Sequence, residues 1–448
     1  MRCGNPRFCQ ARTVRIDRLG DLGGVPAVLR AVGHATGRLD LPPPAALTGD
    51  WFDALAVIAP SLAAHPVDLN RAGDLFAVRP GPDAPRHLGS KGSTSGAIGG
   101  GWFGYLSYPD PGADGRPGRI PEAAGGWTDC VLRRDRNAQW WYESLSGAPM
   151  PDWLAGALAG LKRVPATMAT TPRDCWIDWE APNREAHRNG VLACLEAIRA
   201  GEIYQACVCT QFTGTVSGAP LDFFIAGVAR TSPARAAYVA GEWGAVASLS
   251  PELFLRRRGD VVTSSPIKGT LPLDAWPSAL RASAKDVAEN IMIVDLVRND
   301  LGRVAITGTV TVPELLVVRR APGVWHLVST VSARVPTELP TSALLDVAFP
   351  PASVTGTPKL RARQLISQWE RHRRGIYCGT VGLASPIAGC EFNVAIRTVE
   401  FDPGGNAVLG VGGGITADSD PDAEWQECLH KAAPVVGLPS LAAAAPVG

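Results

Sequence analysis

The 448-residue sequence lacks an excess of charge of either sign, a long hydrophobic run and a secretory leader. Its formal net charge is +1, which argues against nucleic acid or an anionic membrane as the main partner, since both call for a strong basic excess. No stretch reaches the ~18 consecutive apolar residues that a membrane helix needs. The segment 1–17 carries basic residues without an apolar core, so it does not predict a secretion signal. We therefore expect a cytoplasmic protein with no membrane or nucleic-acid partner.

Motifs for nucleotide phosphates and for zinc are also missing. There is no G-x-x-x-x-G-K-[ST] and no H-E-x-x-H sequence. Gly99, Gly101 and Gly104 match G-x-G-x-x-G, but a strand-like run follows them instead of a helix, so we do not expect a dinucleotide site. The ten cysteines are scattered, and Cys207-x-Cys209 has no second pair at zinc spacing. We interpret them as reduced thiols, with this pair on one strand.

Lysine is scarce as well. A lysine in an arginine-rich chain either occurs by chance or marks a position that needs a compact or deprotonatable amine, which a guanidinium cannot supply. Of the 43 basic residues only six are lysines, namely Lys91, Lys162, Lys268, Lys285, Lys359 and Lys431.

The composition and the pattern of elements indicate a mixed fold. Hydrophobic residues make up 46% of the chain and charged residues 19%, as in ordinary globular proteins. Helical and strand patterns alternate without a strict β-α-β order, which favours α+β with large, mostly antiparallel sheets over a Rossmann fold. We predict helices over 184–200, 285–301 (with Gly302 as its C-cap), 359–370 and 421–433. We predict strands over 203–215, 304–312, 377–383, 393–399 and 407–415.

Two of the predicted helices carry paired acidic residues on one face. Asp286 and Glu289 are three residues apart in the helix that begins near 285. Glu424, Glu427 and Lys431 follow at intervals of three and four residues in the last helix. Each stripe alone is compatible with a solvated face. If the two helices face each other, however, four converging carboxylates need a hard cation, and Mg²⁺ suits oxygen ligands best.

Two further segments have both a functional and a structural interpretation. Gly410 and the run Gly412–Gly414 precede the last helix, where they either let backbone N–H groups approach an anion or relieve a crowded strand crossing. The pentapeptide 266–270 (PIKGT) places Lys268 between a predicted strand end and a glycine. That setting suits an amine that is held, desolvated and partly neutral, as a nucleophile must be.

Together these segments resemble the chorismate-utilising enzymes, the family of anthranilate synthase large subunits, aminodeoxychorismate synthase component I, and the isochorismate and salicylate synthases. The resemblance is strong over 185–433 and looser over 97–108. The stretches that carry it are GEIYQ (201–205), SPELFL (250–255), PIKGT (266–270), KDVAENIMIVDLVRNDLGRV (285–304), HLVSTV (326–331), SVTGTPK (353–359), RRGIYCG (373–379), NVAIRT (393–398) and GGGITADSDPDAEWQE (412–427).

The resemblance implies two opposed, mostly antiparallel β-sheets that form a sandwich core with helices packed outside. Residues 1–170 would contribute to this sandwich, and residues 171–440 would form the chorismate-binding catalytic region, with a linker over 163–176. It also implies chorismate and ammonia as substrates. Because no glutaminase nucleophile motif is visible, the ammonia would come from glutamine through a separate glutamine amidotransferase subunit.

Metal and catalytic roles follow from the resemblance, position by position. Glu289 and Glu427 would bind Mg²⁺, with Asp286 and Glu424 acting through water. Glu252 would be the general acid that protonates the departing C4 hydroxyl. That role needs a carboxyl that stays protonated near neutral pH.

Substrate contacts are implied in the same way. Lys431 would lie near the ring carboxylate that the metal anchors. Arg397 would bind the enolpyruvyl carboxylate, since a guanidinium holds a carboxylate through two parallel hydrogen bonds. The partners of Arg397 in that task would be Tyr377 and the backbone of Gly412, Gly413 and Gly414. Further pocket residues, whose roles the resemblance leaves open, would be Thr270, His326 and Thr355.

Two positions distinguish the reactions within the family. Water-using relatives carry a lysine base where this chain has Gln205, and a neutral amide cannot activate water. Anthranilate synthases carry alanine at the position of Lys268, which in aminodeoxychorismate synthases is the proposed nucleophile. The resemblance therefore implies amination of chorismate at C4, through a covalent Lys268 adduct, to 4-amino-4-deoxychorismate for para-aminobenzoate and folate synthesis.

Two alternatives stay open. One is an anthranilate synthase large subunit or another chorismate-isomerising enzyme, and the other is a catalytically weak subunit that binds chorismate and assembles with its glutaminase. The chain also departs from the family pattern in three places, which we expect to affect rate and loop geometry more than reaction type. These are Leu273 in place of arginine, Pro351-Ala352 in place of two glycines, and Cys207-Val208 in place of asparagine and leucine.

Overall fold

The computed structural model describes residues 14–68, 96–110, 118–161 and 175–438, and the backbone of 87–88. The strands, in chain order, are β1 (Val14–Gly20), β2 (Ala45–Trp51), β3 (Ala54–Ala59), β4 (His65–Pro66), β5 (His87–Leu88), β6 (Gly101–Leu106), β7 (Ala123–Thr128), β8 (Cys130–Arg134), β9 (Trp140–Ser144), β10 (Trp176–Glu180), β11 (Gln205–Ser217), β12 (Arg235–Gly241), β13 (Gly244–Ser250), β14 (Leu253–Arg258), β15 (Val261–Ser265), β16 (Ile267–Pro272), β17 (Thr311–Ala321), β18 (Val324–Arg334), β19 (Gly356–Thr357), β20 (Thr380–Ser385), β21 (Gly389–Asn393), β22 (Thr398–Phe401) and β23 (Asn406–Ile415).

These strands form two large sheets. The first runs β10-β11-β23-β22-β13-β12-β2-β3-β8-β9-β1-β5, with β19 beside β11, and the second runs β16-β18-β15-β14-β21-β20-β6-β7-β4, with β17 beside β18. Within the described ranges, β1 and β5 form the only parallel pair. The predicted α+β fold with two mostly antiparallel sheets is therefore confirmed.

The main core lies between the sheets. Val57 and Val239 of the first sheet belong to the same buried cluster as Phe103 and Leu383 of the second. Because side chains alternate across a strand, the opposite faces carry a second set of apolar residues, which the helices cover.

The helices are α1 (Val25–Arg38), α2 (Asp152–Leu161), α3 (Arg184–Arg199), α4 (Pro220–Thr231), α5 (Ala279–Ala282), α6 (Ala284–Gly302), α7 (Thr341–Ala348), α8 (Lys359–Trp369) and α9 (Pro421–Val436), with a 3-10 turn at Ala352–Val354. Capping side chains begin the two helices that carry the acidic pairs. The Ser283 side chain accepts a hydrogen bond from the Asp286 N–H at the start of α6. Asp420 accepts two backbone N–H bonds at the start of α9.

Some predicted boundaries were wrong. Gly302 belongs to α6, and the C-cap is Arg303. The strand predicted over 304–312 is instead a set of turns up to 310, because the N–H groups of Val304 and Ala305 bond back to the Leu301 carbonyl. The strand predicted over 393–399 is broken, because Arg397 has a left-handed φ of 50° where the chain passes from the second sheet to the first. Helix α4 was not predicted.

Strands from the first 170 residues pair with later strands in both sheets. Ala236 of β12 pairs with Thr48 of β2, and Gly382 of β20 pairs with Gly104 of β6. The division at residue 170 stays a prediction, and residues 163–174 of the predicted linker lie outside the described residues. No helix in the described part of the chain is long and apolar enough to cross a membrane.

Candidate active site

Lys268 lies in a pocket built from both sheets and from helix α6. Its Nζ atom, on β16, contacts the Glu289 Oε1 atom of α6. The Gln205 Nε2 atom, at the start of β11, lies 3.4 Å from the same oxygen. The backbone of Gly414 on β23 passes so close that a Cβ there would overlap the Glu289 carboxylate. Four separate elements thus meet around one buried carboxylate.

A second carboxylate links the two helices that carry acidic pairs. Lys285 Nζ, in the first turn of α6, donates to Glu424 Oε1, in the first turn of α9, over 2.7 Å. Ser419 Oγ also donates to Glu424 Oε1, again over 2.7 Å. The acid-bearing ends of α6 and α9 therefore meet, as the paired stripes predicted.

The glycine strand passes close to both carboxylates. A Cβ at Gly413 would lie 2.9 Å from Glu424 Oε2, 3.8 Å from Glu427 Oε1 and 3.9 Å from Lys431 Nζ. Lys431 pairs with Glu427 over 2.7 Å and also donates to the Gly412 carbonyl over 2.9 Å. The acidic side chains of the site crowd this strand, so glycine both relieves the crowding and lets the backbone lie close to the site. The functional and the structural interpretations of the glycine run therefore describe the same arrangement.

The acids offer oxygen donors that suit Mg²⁺. Glu424 Oε2 is buried and has no hydrogen-bond partner among the residues that the structure describes, so it is available to a cation. Across the described ranges no three His, Cys, Asp or Glu side chains converge as a ready cation cage. Instead Glu289, Glu424 and Glu427 are each paired with a lysine. Asp286 lies about one turn before Glu289 on α6, beside Gly269. The donor set fits Mg²⁺ provided that these ion pairs rearrange.

The protonation state of Lys268 differs from the sequence-based expectation. Burial alone would lower the pKa of its ammonium group. Burial is the largest single effect, but the Glu289 carboxylate in contact with Lys268, together with Cys207 and Glu252, outweighs it and raises that pKa above its ordinary value. We predicted a partly neutral amine at Lys268. That prediction is wrong for this arrangement, because the Glu289 carboxylate keeps the amine protonated.

Glu252 has the protonation that a general acid requires. It is buried between the two sheets, and burial raises the pKa of its carboxyl to about 7. Ser353 Oγ donates to Glu252 Oε1 over 2.6 Å and opposes this rise, as does the charge of Lys268. This raised pKa is what a general acid at this position requires, and the role of Glu252 itself stays a prediction.

Thr270, His326 and Arg397 form a group beside the Lys268 strand. Thr270 Oγ1 and His326 Nδ1 are 2.9 Å apart, and His326 Nε2 is buried without a partner. Burial and the charge of Arg397 lower the pKa of His326 to about 4, so its ring is neutral. The Arg397 carbonyl accepts from the Leu249 N–H, but its side chain makes no hydrogen bond or ion pair within the described residues, which leaves the guanidinium available to an anion.

Two predicted residues lie apart from the lysine–glutamate cluster. The Tyr377 ring packs against the backbone of Gly410, and both line a cavity of about 260 Å³. Thr355 directs its hydroxyl to the Pro351 carbonyl over 2.8 Å, and its own carbonyl accepts from the Cys207 N–H. No direct side-chain contact joins Tyr377 or Thr355 to Lys268 in the described part of the chain.

Sequence reasoning missed three residues that hold the site together. Lys285 and Ser419 bind Glu424, and Ser353 binds Glu252. The scarcity of lysine was a usable signal for Lys285. Ser353 lies within the SVTGTPK stretch, but nothing in that stretch indicates its distant partner.

Comparisons with known proteins show the family to which the chain belongs. A family profile described as chorismate binding enzyme matches residues 79–437. Aminodeoxychorismate synthase component 1 of Escherichia coli is 40% identical over 262 residues, which are 57% of this chain and 58% of that protein. Anthranilate synthase component 1 of Streptomyces coelicolor is 33% identical over 365 residues, 74% of this chain and 71% of the relative.

The fold has solved counterparts as well. Anthranilate synthase component I of Streptococcus pneumoniae superposes with a TM-score of 0.68 at 24% identity, covering 83% of this chain and 86% of that one. The chain spans 50 to 58% of the length of five aminodeoxychorismate synthases that it matches. With a family match over most of its length and a relative 33% identical across 71% of its own length, the chain belongs to the chorismate binding enzymes.

Proposed function

We propose that this protein aminates chorismate at C4 with ammonia and releases 4-amino-4-deoxychorismate. One observation carries the proposal. Lys268 and Gln205 contact the same oxygen of Glu289. By the family resemblance, the Lys268 amine takes the position of alanine in anthranilate synthases, and the Gln205 amide takes the position of the lysine base in water-using relatives. The relatives 36 to 44% identical that are named aminodeoxychorismate synthase support the same reaction.

Substrate binding would use the charges around the glycine strand. Mg²⁺, held by Glu289 and Glu427 with Asp286 and Glu424 acting through water, would anchor the ring carboxylate and offset the charge of the acids. Lys431 would add a cation on the same side. The enolpyruvyl carboxylate would bind the unpaired guanidinium of Arg397, with Tyr377 and the backbone of Gly412–Gly414 as its neighbours. The registered pairing of β23 with β22 ends at Leu409, so the backbone of Gly412–Gly414 is not paired with β22 on that side.

The reaction would proceed in two substitutions. Once Glu289 binds the cation it no longer holds the proton of Lys268, which is lost to solvent, and the neutral amine then forms a bond to C2 of chorismate. The ring double bonds shift and the C4–O bond breaks, while Glu252 donates a proton so that the hydroxyl leaves as water. Ammonia next attacks C4, the double bonds shift back, and the C2–N bond breaks to release Lys268. The new C4 ammonium returns a proton to Glu252, and the Lys268 amine takes up a proton from solvent. The sum is chorismate and ammonia converted to 4-amino-4-deoxychorismate and water.

The proposal includes a partner and a pathway. Several relatives are named component 1, which implies a second component in those systems. For this chain we propose a separate glutamine amidotransferase that supplies ammonia, and a product used for para-aminobenzoate and folate. The eight cysteines among the described residues are free thiols, in keeping with the proposed cytoplasmic location.

Consumption of chorismate by the purified chain tests whether it is an enzyme. With ammonium salt and Mg²⁺ and without a partner, we expect chorismate to disappear at a rate that depends on both additions. Binding of chorismate without turnover would favour the alternative of a weak subunit that acts only by assembly.

Replacing a proposed metal ligand provides a further test. We expect Glu427→Gln to lower turnover about 10- to 100-fold and to weaken the response to Mg²⁺, because the amide removes a charged oxygen donor. Kinetics across a series of Mg²⁺ concentrations measure both effects. The matched control is Glu196→Gln, an exposed carboxylate on α3, which should behave as wild type. A wild-type metal response in Glu427→Gln would remove this residue from the metal site.

The pH dependence tests Glu252. Its carboxyl must be protonated to donate, and its pKa is about 7, so kcat should fall as pH rises through that value. Ser353→Ala removes a hydrogen bond that favours the ionised form, so the fall should move to higher pH. Glu252→Gln should lose most of its activity at every pH. A pH profile that is the same in Ser353→Ala and wild type would assign the titration to another group.

A further inference from the structure

We propose that Lys285 is a built-in counter-cation of Glu424 that competes with a divalent cation for the charge of this carboxylate. Lys285 would thereby set the affinity of the site for Mg²⁺. The inference rests on the proposed metal site and concerns a residue to which the family resemblance gave no role.

The contacts of Glu424 support competition for one carboxylate. The Glu424 side chain is only 3% exposed, whereas Lys285 is 36% exposed and reaches in from the surface. Oε1 already accepts from Lys285 and Ser419, and Oε2 is buried with no partner beside Gly413. A buried carboxylate with one unused oxygen is costly unless charge is supplied nearby. Lys285 supplies that charge from one side while the other oxygen stays open to a cation.

The charge balance of the cluster points the same way. Glu289, Glu424 and Glu427 are each matched by one lysine. A divalent cation entering this balanced set meets three ammonium groups that repel it and already occupy its ligands. Its affinity should therefore rise when a lysine withdraws.

Of the three lysines, Lys285 is the one placed to withdraw. Lys268 is only 10% exposed, and its partner Glu289 is 7% exposed. Lys431 also donates to the Gly412 carbonyl, and its partner Glu427 lies on the same helix. Lys285 has no second acceptor among the described residues. It also lies in the first turn of α6, where the helix dipole disfavours a cation.

Mg²⁺ binding measured without substrate tests the idea apart from catalysis. Titration calorimetry at constant ionic strength would compare wild type with Lys285→Met and Lys285→Gln. We expect both variants to bind Mg²⁺ roughly three- to tenfold more tightly, since the competing ion pair is gone. Without metal both should melt at a lower temperature than wild type, and Mg²⁺ should raise their melting temperature more.

Two controls keep the outcomes distinct. Lys285→Arg retains the charge and should retain the wild-type affinity. Arg298→Met removes an exposed cation of the same helix, paired with Asp295, and should change nothing. Unchanged or weaker Mg²⁺ binding in the Lys285 variants, with normal binding in wild type, would overturn this inference alone. Absence of Mg²⁺ binding by wild type would overturn it together with the proposed metal site.

Discussion

Lys268→Ala is expected to lower kcat for chorismate amination by at least about 10³-fold, the loss typical of removing a nucleophile. The methyl group cannot form the bond to C2, so the C4 hydroxyl has no route to leave. The fold should survive, because Lys268 is part of one ion pair and not of the apolar core. Steady-state kinetics with ammonium salt and Mg²⁺ measure the loss, and circular dichroism checks the fold.

Lys268→Arg separates nucleophilic from electrostatic action. Arginine keeps a cation beside Glu289 but stays protonated, so it cannot attack carbon. If Lys268 acts as a nucleophile, both variants are inactive. If it serves only as a charge for substrate binding, arginine restores much of the rate. Wild-type turnover in Lys268→Ala would remove the covalent step altogether.

The largest expected loss of stability comes from Glu391→Ala. Glu391, on β21 of the second sheet, is fully buried and pairs with Arg235 on β12 of the first sheet over 2.6 Å. It also pairs with Arg256 over 2.8 Å and Arg258 over 3.3 Å, both on the neighbouring strand β14. Removing this carboxylate leaves Arg235 buried, with Asp50 as its remaining ion-pair partner in the described part of the chain and the Trp51 ring beneath its guanidinium. We expect a loss of about 3–5 kcal/mol in the free energy of unfolding.

Urea denaturation measures this loss, with the slopes of the unfolding transitions compared to check that the unfolding reaction is the same. The matched control is Asp295→Asn, which breaks the exposed pair with Arg298 and should cost at most about 1 kcal/mol. If Glu391→Ala and Asp295→Asn lower the free energy of unfolding by a similarly small amount, Arg235 must find another partner or water in the Glu391 variant. That result would contradict the expected loss.

Local signals were sufficient to predict the elements that carry the acids. Ser283 and Asp420 are capping residues placed directly before helices α6 and α9, and the spacing of Asp286, Glu289, Glu424 and Glu427 follows from the helical repeat alone. Strand β23 was predicted to within one residue, because it is a continuous run of apolar residues and glycine after the polar Asn406. Such features depend on neighbours within a few positions.

Long-range contacts set the features that were not predicted. Lys285 and Glu424 are 139 residues apart, and Glu252 and Ser353 are 101 apart, so no local pattern can pair them. The break at Arg397 arises because the chain changes sheets there, which is a property of the topology and not of the sequence NVAIRT. The proton on Lys268 likewise depends on Glu289, a residue on another element.

Identification of the product tests the proposed reaction most directly. Purified protein would be incubated with chorismate, ammonium salt and Mg²⁺, and the products separated by chromatography and identified by mass spectrometry. We predict 4-amino-4-deoxychorismate as the main product from wild type and none from Lys268→Ala. Anthranilate or isochorismate as the main product, or 4-amino-4-deoxychorismate from the alanine variant at the wild-type rate, would contradict amination at C4 by way of Lys268.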